Sequence, residues 1–303
     1  GTNRGFIIFD STNGKSIIHQ NEAADEKSLS HNNVLSTFRS KDGVIWIGTR
    51  NGLNKIETEK PDFTHIRHVP GKIGLSSKNV NSFIEENDSL IWVGTTDGLN
   101  LYDRNNNTFQ VFRKDENQKN QLRTNYILCL FKDSKGGKWV GTKGNGFYKI
   151  EKAVNGNFEF TQMQPNIENA TTTSVHYITE DNDGSLWLGT GGRGLWKYNT
   201  TDNNVKRYRT SKDGTGPNHP YVFTILQDSY KNIWLGTPTG GLNLFNPETE
   251  EFAYFQNNTA NKHSLSNDIV LSLYEDYQHT LWIGTNGGLN KLIPKLEEKR
   301  FAK

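Results

Sequence analysis

The chain has almost no cysteine: Cys129 stands alone among 303 residues, so no disulfide can form within it. This does not fix the cellular compartment, because a large closed fold is stable without disulfides even outside the cytosol. Methionine is equally rare, with one residue, and alanine is scarce, which argues against a helical protein. No apolar run approaches the roughly 20 residues that a transmembrane helix needs.

An excess of charge of one sign is also lacking, since 35 basic residues stand against 33 acidic ones and neither kind gathers in a block. A nucleic-acid partner is therefore not expected. The chain is instead rich in aromatic side chains and glycine, with 7 Trp, 11 Tyr, 16 Phe and 29 Gly. Aromatic residues favour strands, and glycine favours the turns between them.

One aromatic motif, Trp-x-Gly-Thr, recurs six times at intervals of 46 to 48 residues. Its copies begin at Trp46, Trp92, Trp139, Trp187, Trp234 and Trp282. A period of this size, with several short strands in each unit, is typical of the blades of a β-propeller. Length alone would suggest about two domains, but one closed all-β ring can accommodate several hundred residues.

The spacing inside each unit is regular. Twelve residues before each Trp lies a β-branched residue, and an Asp- and Gly-rich turn separates the two. These β-branched residues are Val34, Val80, Ile127, Val175, Val222 and Val270. Two further strands follow each Gly-Thr, so every unit is predicted to be a four-stranded antiparallel meander, which we number blades 1 to 6. We expect the Trp to be a packing residue, the Gly to give it space and the Thr hydroxyl to support the next turn.

The first ten residues match residues 48–57, so the chain opens at the end of a second strand and residues 1–20 supply a half blade. We predict an all-β, seven-bladed propeller with one blade incomplete in this chain; the alternative is six blades plus an edge hairpin. In both cases we expect a single domain over residues 1–303, as a fragment of a longer chain. The blades are predicted to span about residues 31–70, 77–115, 124–163, 172–210, 219–256 and 267–303.

The unit from Asp268 to Leu292 combines an aliphatic strand, a turn, Trp-x-Gly-Thr and Gly-Leu-Asn. It resembles the two-component regulator propeller repeat, in six full copies and one partial copy that cover nearly the whole chain. In that family such propellers form the extracytoplasmic sensor half of hybrid two-component histidine kinases. Blade 4 departs from the pattern, because its first strand, residues 173–178, lacks an Asn- or Asp-type start.

The resemblance implies a ligand-sensing, non-catalytic module in the periplasm, the outer part of an inner-membrane kinase that responds to polysaccharide-derived oligosaccharides. The expected partners are an acidic or sulfated oligosaccharide, an adjacent propeller or sensor domain of the same chain, and a second copy in a homodimer. No cofactor, metal or membrane segment is expected in this fragment. The alternatives are a protein-interaction or relay propeller without its own ligand, and a polysaccharide or streptogramin-type lyase.

A ligand site is predicted where the turn between strands two and three is lengthened. In blades 1, 2 and 6 this turn reads Gly-Thr-x-x-Gly, and in blades 3, 4 and 5 it is one residue longer. The longer turns contain residues 143–145, 191–193 and 238–240. Together they form an arc that either shapes a ligand cleft or reflects neutral loop drift, since insertions there cost little stability.

Unusual histidines and tyrosines fall on the same blades, at His176 and Tyr177 in blade 4 and at His219 and Tyr221 in blade 5. Cations beside aromatic faces suit an acidic or sulfated sugar, because Arg binds carboxylate or sulfate bidentately and Tyr offers a stacking face. The candidate ligand-binding residues are Lys143, Asn145, His176, Tyr177, Arg193, His219, Tyr221 and Thr239. Further cations are expected on the side of the propeller that carries these turns, at Arg50, Lys78 and Arg123. The alternative for each lone cation is that it lies at a solvated loop tip.

The lyase alternative assigns these histidines and tyrosines as general base and acid in a β-elimination. No other residue pattern predicts catalysis. His65 and His68 lie three residues apart on a predicted strand, so their side chains point to opposite faces and cannot hold one metal ion.

Overall fold

The computed structural model describes residues 1–10, 12–40, 43–57, 60–68, 74–115, 117, 120–211 and 213–292, without the side chains of residues 57 and 60–62. In this part of the chain the regular structure is β-strand, apart from one 3₁₀ turn at Ala170–Thr172. No helix among these residues has the length and apolar character needed to cross a membrane. The all-β prediction is confirmed.

The strands of residues 1–162 are β1 (Phe6–Phe9), β2 (Ser16–His19), β3 (Val34–Arg39), β4 (Ile45–Thr49), β5 (Gly52–Glu57), β6 (Lys60–Ile66), β7 (Val80–Glu85), β8 (Leu90–Thr95), β9 (Gly98–Asp103), β10 (Thr108–Phe112), β11 (Ile127–Lys132), β12 (Lys138–Thr142), β13 (Phe147–Lys152) and β14 (Phe158–Gln162). Those that follow are β15 (Ser174–Glu180), β16 (Leu186–Gly191), β17 (Leu195–Tyr198), β18 (Val205–Tyr208), β19 (Thr224–Gln227), β20 (Ile233–Gly236), β21 (Leu242–Asn246), β22 (Glu251–Phe255), β23 (Val270–Glu275), β24 (Leu281–Thr285) and β25 (Gly288–Leu292).

Strands pair with their neighbours in sequence, so each sheet is an up-and-down meander. Blades 1 to 5 each have four strands: β3–β6, β7–β10, β11–β14, β15–β18 and β19–β22. Blade 6 has β23–β25 in the described residues, and its predicted end, residues 293–303, lies outside them. The half blade is a separate two-stranded sheet of β1 and β2. The predicted four-stranded antiparallel blades are confirmed, and in the described chain six sheets carry the Trp hairpin.

The chain divides into two compact units. The first comprises Gly1–Lys132, Lys138–Thr142 and Tyr148–Gln162, and therefore holds the two-stranded sheet, blades 1 and 2 and most of blade 3. The second comprises Asp133–Gly137, Lys143–Phe147 and Met163–Lys303, and so holds blades 4 to 6 with two turns of blade 3. All eight candidate ligand residues belong to the second unit.

Within each unit the hydrophobic core lies between successive blades. In the second unit Trp187 of blade 4 is buried against Val222 and Phe245 of blade 5. In the first unit Trp46 of blade 1 is buried with Val80 of blade 2 in the same way. Five of the six repeated tryptophans are therefore buried packing residues, as predicted, whereas Trp282 of blade 6 is partly exposed.

A hydrogen bond also holds the indole N–H of the tryptophan in four blades, and its acceptor is an acidic side chain six residues earlier. The acceptors are Glu86 for Trp92 at 2.7 Å, Asp181 for Trp187 at 3.0 Å, Asp228 for Trp234 at 2.7 Å and Asp276 for Trp282 at 2.7 Å. The three aspartates also accept backbone N–H groups of the hairpin turn, as Asp228 does from Tyr230 and Asn232. The aspartate of the turn therefore joins the turn to the core.

Blade 1 departs from this arrangement, because Ser40 occupies the position six residues before Trp46. The Trp46 side chain is buried, and its Nε1 has no hydrogen-bond partner among the described residues. A buried donor without an acceptor costs about 1–3 kcal/mol. Blade 1 thus carries a local defect that an acidic residue relieves in blades 2, 4, 5 and 6.

The glycine of Trp-x-Gly-Thr makes room for the facing strand-one residue of its own blade, such as Ser36 or Thr224, and for the next blade, and not, as predicted, for the tryptophan. A Cβ atom on this glycine would lie within about 3 Å of the β-branched residue that begins strand one of the following blade. The distances are 2.9 Å from Gly48 to Val80 Cγ1, 2.7 Å from Gly94 to Ile127 Cγ2, 3.1 Å from Gly189 to Val222 Cγ1 and 2.7 Å from Gly236 to Val270 Cγ1. The repeat glycine of one blade and the β-branched residue of the next blade are therefore the two sides of a single contact.

Candidate functional site

The turns between strands two and three fall into two classes that the threonine hydroxyl distinguishes. In the short class Thr49, Thr95 and Thr285 donate to the carbonyl oxygen three residues later, at 3.0, 2.9 and 2.9 Å. In the longer class Thr190 and Thr237 donate to the carbonyl oxygen four residues later, at 2.7 and 2.9 Å. The hydroxyl supports the turn as predicted, and the extra residue in blades 4 and 5 is accommodated without loss of that bond.

A β-bulge places His176. The pairing of β15 with β16 jumps from Val175 opposite Thr190 to Tyr177 opposite Gly189, which leaves His176 as the extra residue. The same irregularity falls at the equivalent position of blades 1, 2, 3 and 6. Because a bulge re-aims a side chain, adjacent residues at this point have different surroundings.

Tyr177 and His176, adjacent in sequence, accordingly have separate roles. Tyr177 is partly buried and packs on the core that Trp187 and Val222 form between blades 4 and 5. In the other blades the residue that shares the register of Tyr177, opposite the repeat glycine, is Ser36, Ser82, Cys129, Thr224 or Ser272. Tyr177 thus fills a position that is small elsewhere, and its side chain belongs to the core.

His176 packs among aromatic rings of blade 5. Its ring centroid lies 6.3 Å from that of Tyr221 and 5.6 Å from that of Phe223. Phe223 was missed as a site residue, although it lies eleven residues before Trp234, as His176 does before Trp187. Burial, assisted by the nearby positive charge of Lys143, holds the pKa of His176 below its ordinary value. The imidazole is therefore neutral at neutral pH.

Acidification from pH 7.5 to 5.5 is expected to destabilise the protein less when His176 is replaced by glutamine. The lowered pKa means that the unfolded chain binds the proton more readily than the folded one. Stability from this group is present above the unfolded pKa of about 6.5 and is lost as the pH falls towards the folded pKa, at no more than about 1.4 kcal/mol per pH unit. Urea unfolding at several pH values measures the slope, with the exposed His263→Gln as control. Equal slopes for the wild type and His176→Gln would contradict the assignment.

Tyr221 is the exposed member of the group. Its side chain is 43% exposed, and its backbone forms an antiparallel bridge with Gly191. Gly192, in the left-handed region at φ 94°, has no side chain to cover the ring; a Cβ there would lie 3.9 Å from it. Nδ1 of His219 accepts the Tyr221 backbone N–H at 3.0 Å, which leaves Nε2–H as a donor. The result is an aromatic face beside a bare glycine turn.

The remaining candidates lie on the lengthened turns of the second unit. Lys143, Arg193 and Thr239 are exposed, and Asn145 is half-buried. The turn that carries Lys143 and Asn145 is anchored by the N–H of Gly144, which donates to Ser174 Oγ at 2.9 Å. The ring contacts among described residues join His176, Tyr221, His219 and Phe223, with Lys143 close enough to affect the His176 pKa. Arg193 and Thr239 are not part of this cluster.

A pocket of about 360 Å³ lies elsewhere, on the first unit, between the turns of blades 1 and 2. Its lining residues are His31, Arg50, Asn51, Lys78 and Asn79. Two of them are cations that the sequence placed on the turn-bearing face without including them in the site. The pocket therefore marks a second candidate site.

Metal and thiol chemistry find no support in the described residues. They contain no group of three His, Cys, Asp or Glu side chains placed to hold a metal ion. The His65 and His68 rings each contact a backbone carbonyl, at Ser28 and Leu75. Burial raises the pKa of the Cys129 thiol to about 12, so the thiolate nucleophile is not formed at neutral pH.

Four segments of the chain match a family model, that of the two component regulator propeller, at residues 28–51, 170–192, 215–239 and 264–287. These segments are two-component regulator propeller repeats. Each one covers the loop into strand one and the first hairpin of blade 1, 4, 5 or 6. Blade 4 is included, although its first strand departs from the pattern. No curated protein sequence matches the chain significantly.

Three solved structures that are similar to this chain come from bacterial proteins. The extracellular domain of BT3049, assigned to a hybrid two-component system of B. thetaiotaomicron, is 25% identical with a TM-score of 0.64, over 90% of this chain and 41% of that one. The extracellular domain of BT4673 from B. thetaiotaomicron, assigned to a one-component system, is 20% identical with a TM-score of 0.63, over 85% and 38%. PorZ, a surface component of the type-IX secretion system of Porphyromonas gingivalis, is 18% identical with a TM-score of 0.59, over 85% and 38%.

The chain thus spans about two fifths of the length of these structures. Their likeness establishes the fold: the predicted β-propeller architecture of four-stranded antiparallel blades is confirmed.

Proposed function

We propose that this chain is a ligand-sensing module from the extracytoplasmic part of a two-component sensor and that it binds a polysaccharide-derived oligosaccharide without chemical turnover. The observation that carries the proposal is the Tyr221 ring, 43% exposed beside the bare Gly192 turn. The repeat family and the two-component assignment of BT3049 support the sensor context. The location that follows is the periplasm.

The Tyr221 surface has the chemistry of a sugar subsite. A pyranose presents axial C–H groups that stack on an aromatic face, and its hydroxyls need donors and acceptors at the rim. His219 Nε2–H and the phenol of Tyr221 supply such groups. Arg193 and Lys143, exposed on the flanking turns, would select a ligand that also carries carboxylate or sulfate.

Binding is favoured over catalysis by the surroundings of the histidines. A β-elimination needs a general base and acid positioned on one substrate. Tyr177 packs in the core between blades 4 and 5, and His176 lies against Phe223 and Tyr221. His176 and Tyr177, although adjacent in sequence, therefore lie in two different environments. This argues against their acting together as general base and acid.

Signalling would follow from a ligand that binds two arrangements of the sensor with different affinity. A ligand shifts such an equilibrium only by the difference in its binding free energy for the two states. The partner whose position changes would be an adjacent propeller or sensor domain of the same chain, or a second copy in a homodimer. The membrane-bound kinase would then read the change.

Tyr221→Ala is expected to weaken binding of an oligosaccharide ligand by about ten- to a hundredfold, because an aromatic stacking face is lost. Isothermal titration calorimetry against a panel of acidic and neutral oligosaccharides identifies the ligand and measures the change. Tyr277→Ala removes a tyrosine that is 77% exposed on a hairpin turn of blade 6, and serves as control. Unchanged affinity in Tyr221→Ala would contradict the proposed subsite.

The same titrations test the alternatives. Formation of an unsaturated product, seen as ultraviolet absorbance, would establish a lyase in place of a sensor. Failure of every sugar to bind would leave the relay propeller as the function.

A further inference from the structure

The pocket on the first unit combines positive charge with hydrogen-bond donors. Arg50 and Asn51 lie on the turn between β4 and β5, and Lys78 and Asn79 lie on the loop into β7. The N–H of Gly52 donates to the Lys78 carbonyl at 2.7 Å, which joins the two loops. The pocket has a volume of about 360 Å³, which falls in the range of small-ligand sites, roughly 300–1,000 Å³.

Lys78 occupies a repeat position whose residue has a structural task in three other blades. The residue fourteen positions before the Trp of blades 1, 3 and 6 is Asn32, Asn125 or Asp268, and its side-chain oxygen accepts a backbone N–H from the incoming loop. The donors are Asn21 at 2.6 Å, Lys114 at 2.8 Å and Asn257 at 2.6 Å, each eleven residues earlier. A lysine side chain has no acceptor atom and cannot make this bond. Blade 2 therefore lacks this loop-anchoring bond, and of the three blades without Asn or Asp at the position, which carry Lys78, Thr173 and Pro220, it is the one that places a cation there.

At the equivalent turn, blade 2 carries a carboxylate where blade 1 has a neutral amide. Asp97 of blade 2 holds the repeat position of Asn51, five residues after the Trp. Its carboxylate pairs with Arg113 at 3.3 Å and accepts from Asn125 Nδ2 at 3.0 Å. By contrast, the described residues place no carboxylate in an ion pair with Arg50 or Lys78. The two cations between blades 1 and 2, Arg50 and Lys78, are thus available to a ligand. At the equivalent place after blade 2, Asp97 and Arg113 neutralise each other.

The other lining groups also present donors. Nδ1 of His31 accepts the N–H of Asn33 at 2.8 Å, which leaves Nε2–H as a donor. Asn51 is fixed by donation from Nδ2 to the Ser30 carbonyl at 3.2 Å. Arg50 offers a planar fork that matches an oxyanion bidentately, and Lys78 adds a point charge. All the charged groups that line the pocket therefore favour an anion.

We propose that this pocket binds an oxyanion, the carboxylate of a uronic acid or the sulfate ester of a sulfated sugar. The preference for an anion rests on the lining residues alone, whereas the choice of a sugar as its carrier rests on the proposed function. No residue is shared with the Tyr221 surface, so the two sites can be tested apart.

The test uses substitutions that the repeat itself contains. Lys78→Asn installs the residue of blades 1 and 3, and Arg50→Thr installs Thr96 of blade 2. Galacturonate, galactose 6-sulfate, inorganic sulfate and neutral galactose are titrated in parallel and followed by NMR shifts. We expect the two acidic sugars to bind better than galactose, and each substitution to weaken them by at least about tenfold, since a charge-assisted contact is lost. The better-bound acidic sugar identifies the source of the anion.

Lys78→Asn separates binding from folding, because it restores the loop-anchoring bond and should not lower the melting temperature. Lys262→Asn removes an exposed lysine of the second unit as the charge-matched control and should leave affinity unchanged. The proposal is overturned if no acidic probe binds, if Lys78→Asn binds acidic sugars as the wild type does, or if galactose binds equally well. Acidic-sugar binding that resists Tyr221→Ala but not Lys78→Asn would support this site even if the Tyr221 proposal failed.

Discussion

Replacing Asp228 by alanine is expected to lower the free energy of unfolding by about 3 kcal/mol or more. The Asp228 carboxylate is buried and accepts the Trp234 indole N–H at 2.7 Å and the backbone N–H groups of Tyr230 and Asn232 at 2.9 Å each. Alanine leaves all three donors without that acceptor, and the Trp234 side chain is 3% exposed, so water cannot replace it there. Urea unfolding followed by tryptophan fluorescence measures the change.

The reverse substitution is the matched control. Ser40→Asp gives blade 1 the acceptor that blades 4, 5 and 6 possess, six residues before Trp46, whose Nε1 is unpartnered in the described chain. We expect this change to raise the free energy of unfolding by about 1 kcal/mol, the net value of one buried hydrogen bond. A neutral Asp228→Ala, or a destabilising Ser40→Asp, would show that the Trp–acid bond is not a general stabilising element of the blade.

The fold could be predicted because every blade is packed with the same residue types at the same repeat positions. The Trp, the β-branched residue twelve positions earlier and the Gly-Thr after it recur at constant offsets, so one correct interpretation of a single blade extends to all. The strand-one register repeats for the same reason, with Ser36, Ser82 and Thr224 opposite the repeat glycine. Periodicity did not reveal contacts between blades, which is why the glycine was assigned to the wrong partner.

The candidate site was harder to predict from the sequence, because its geometry depends on a β-bulge. Strand alternation says that His176 and Tyr177 face opposite ways, but it does not say that a bulge sets His176 against Phe223 while Tyr177 enters the core. The signal that could have found Phe223 is its repeat position, eleven residues before the Trp. Aligning the residues eleven positions before each Trp would have linked it to His176.

The pocket of the first unit shows the same lesson for charge. Lys78 looked like a solvated loop tip when considered alone. Beside Asn32, Asn125 and Asp268 at the same repeat position it becomes a departure that costs a hydrogen bond. In a repeat protein, the informative residues are those that break a contact which their equivalents make.

Replacing Gly94 by alanine tests the contact between successive blades. A Cβ atom at Gly94 would lie 2.7 Å from Ile127 Cγ2, closer than carbon atoms approach in proteins, and 3.3 Å from its Cβ. Both residues are buried in the first unit, and Ile127, which belongs to its hydrophobic core, is 0% exposed. We expect Gly94→Ala to destabilise the protein by about 2–3 kcal/mol through overpacking. Gly74→Ala is the control, because its nearest atom would be the Arg67 carbonyl oxygen at 3.4 Å.

Ile127→Ala removes the Cγ2 atom that opposes the new side chain, and by itself should cost about 2–5 kcal/mol as a cavity mutation. If Gly94 and Ile127 form one contact, the double substitution is less destabilising than the sum, because the new methyl group occupies space that the isoleucine leaves. We expect a coupling of about 1–2 kcal/mol in a double-mutant cycle measured by urea unfolding. Strict additivity would mean that the glycine is needed for another reason, such as backbone freedom of β8, and that blade stacking does not depend on this pair.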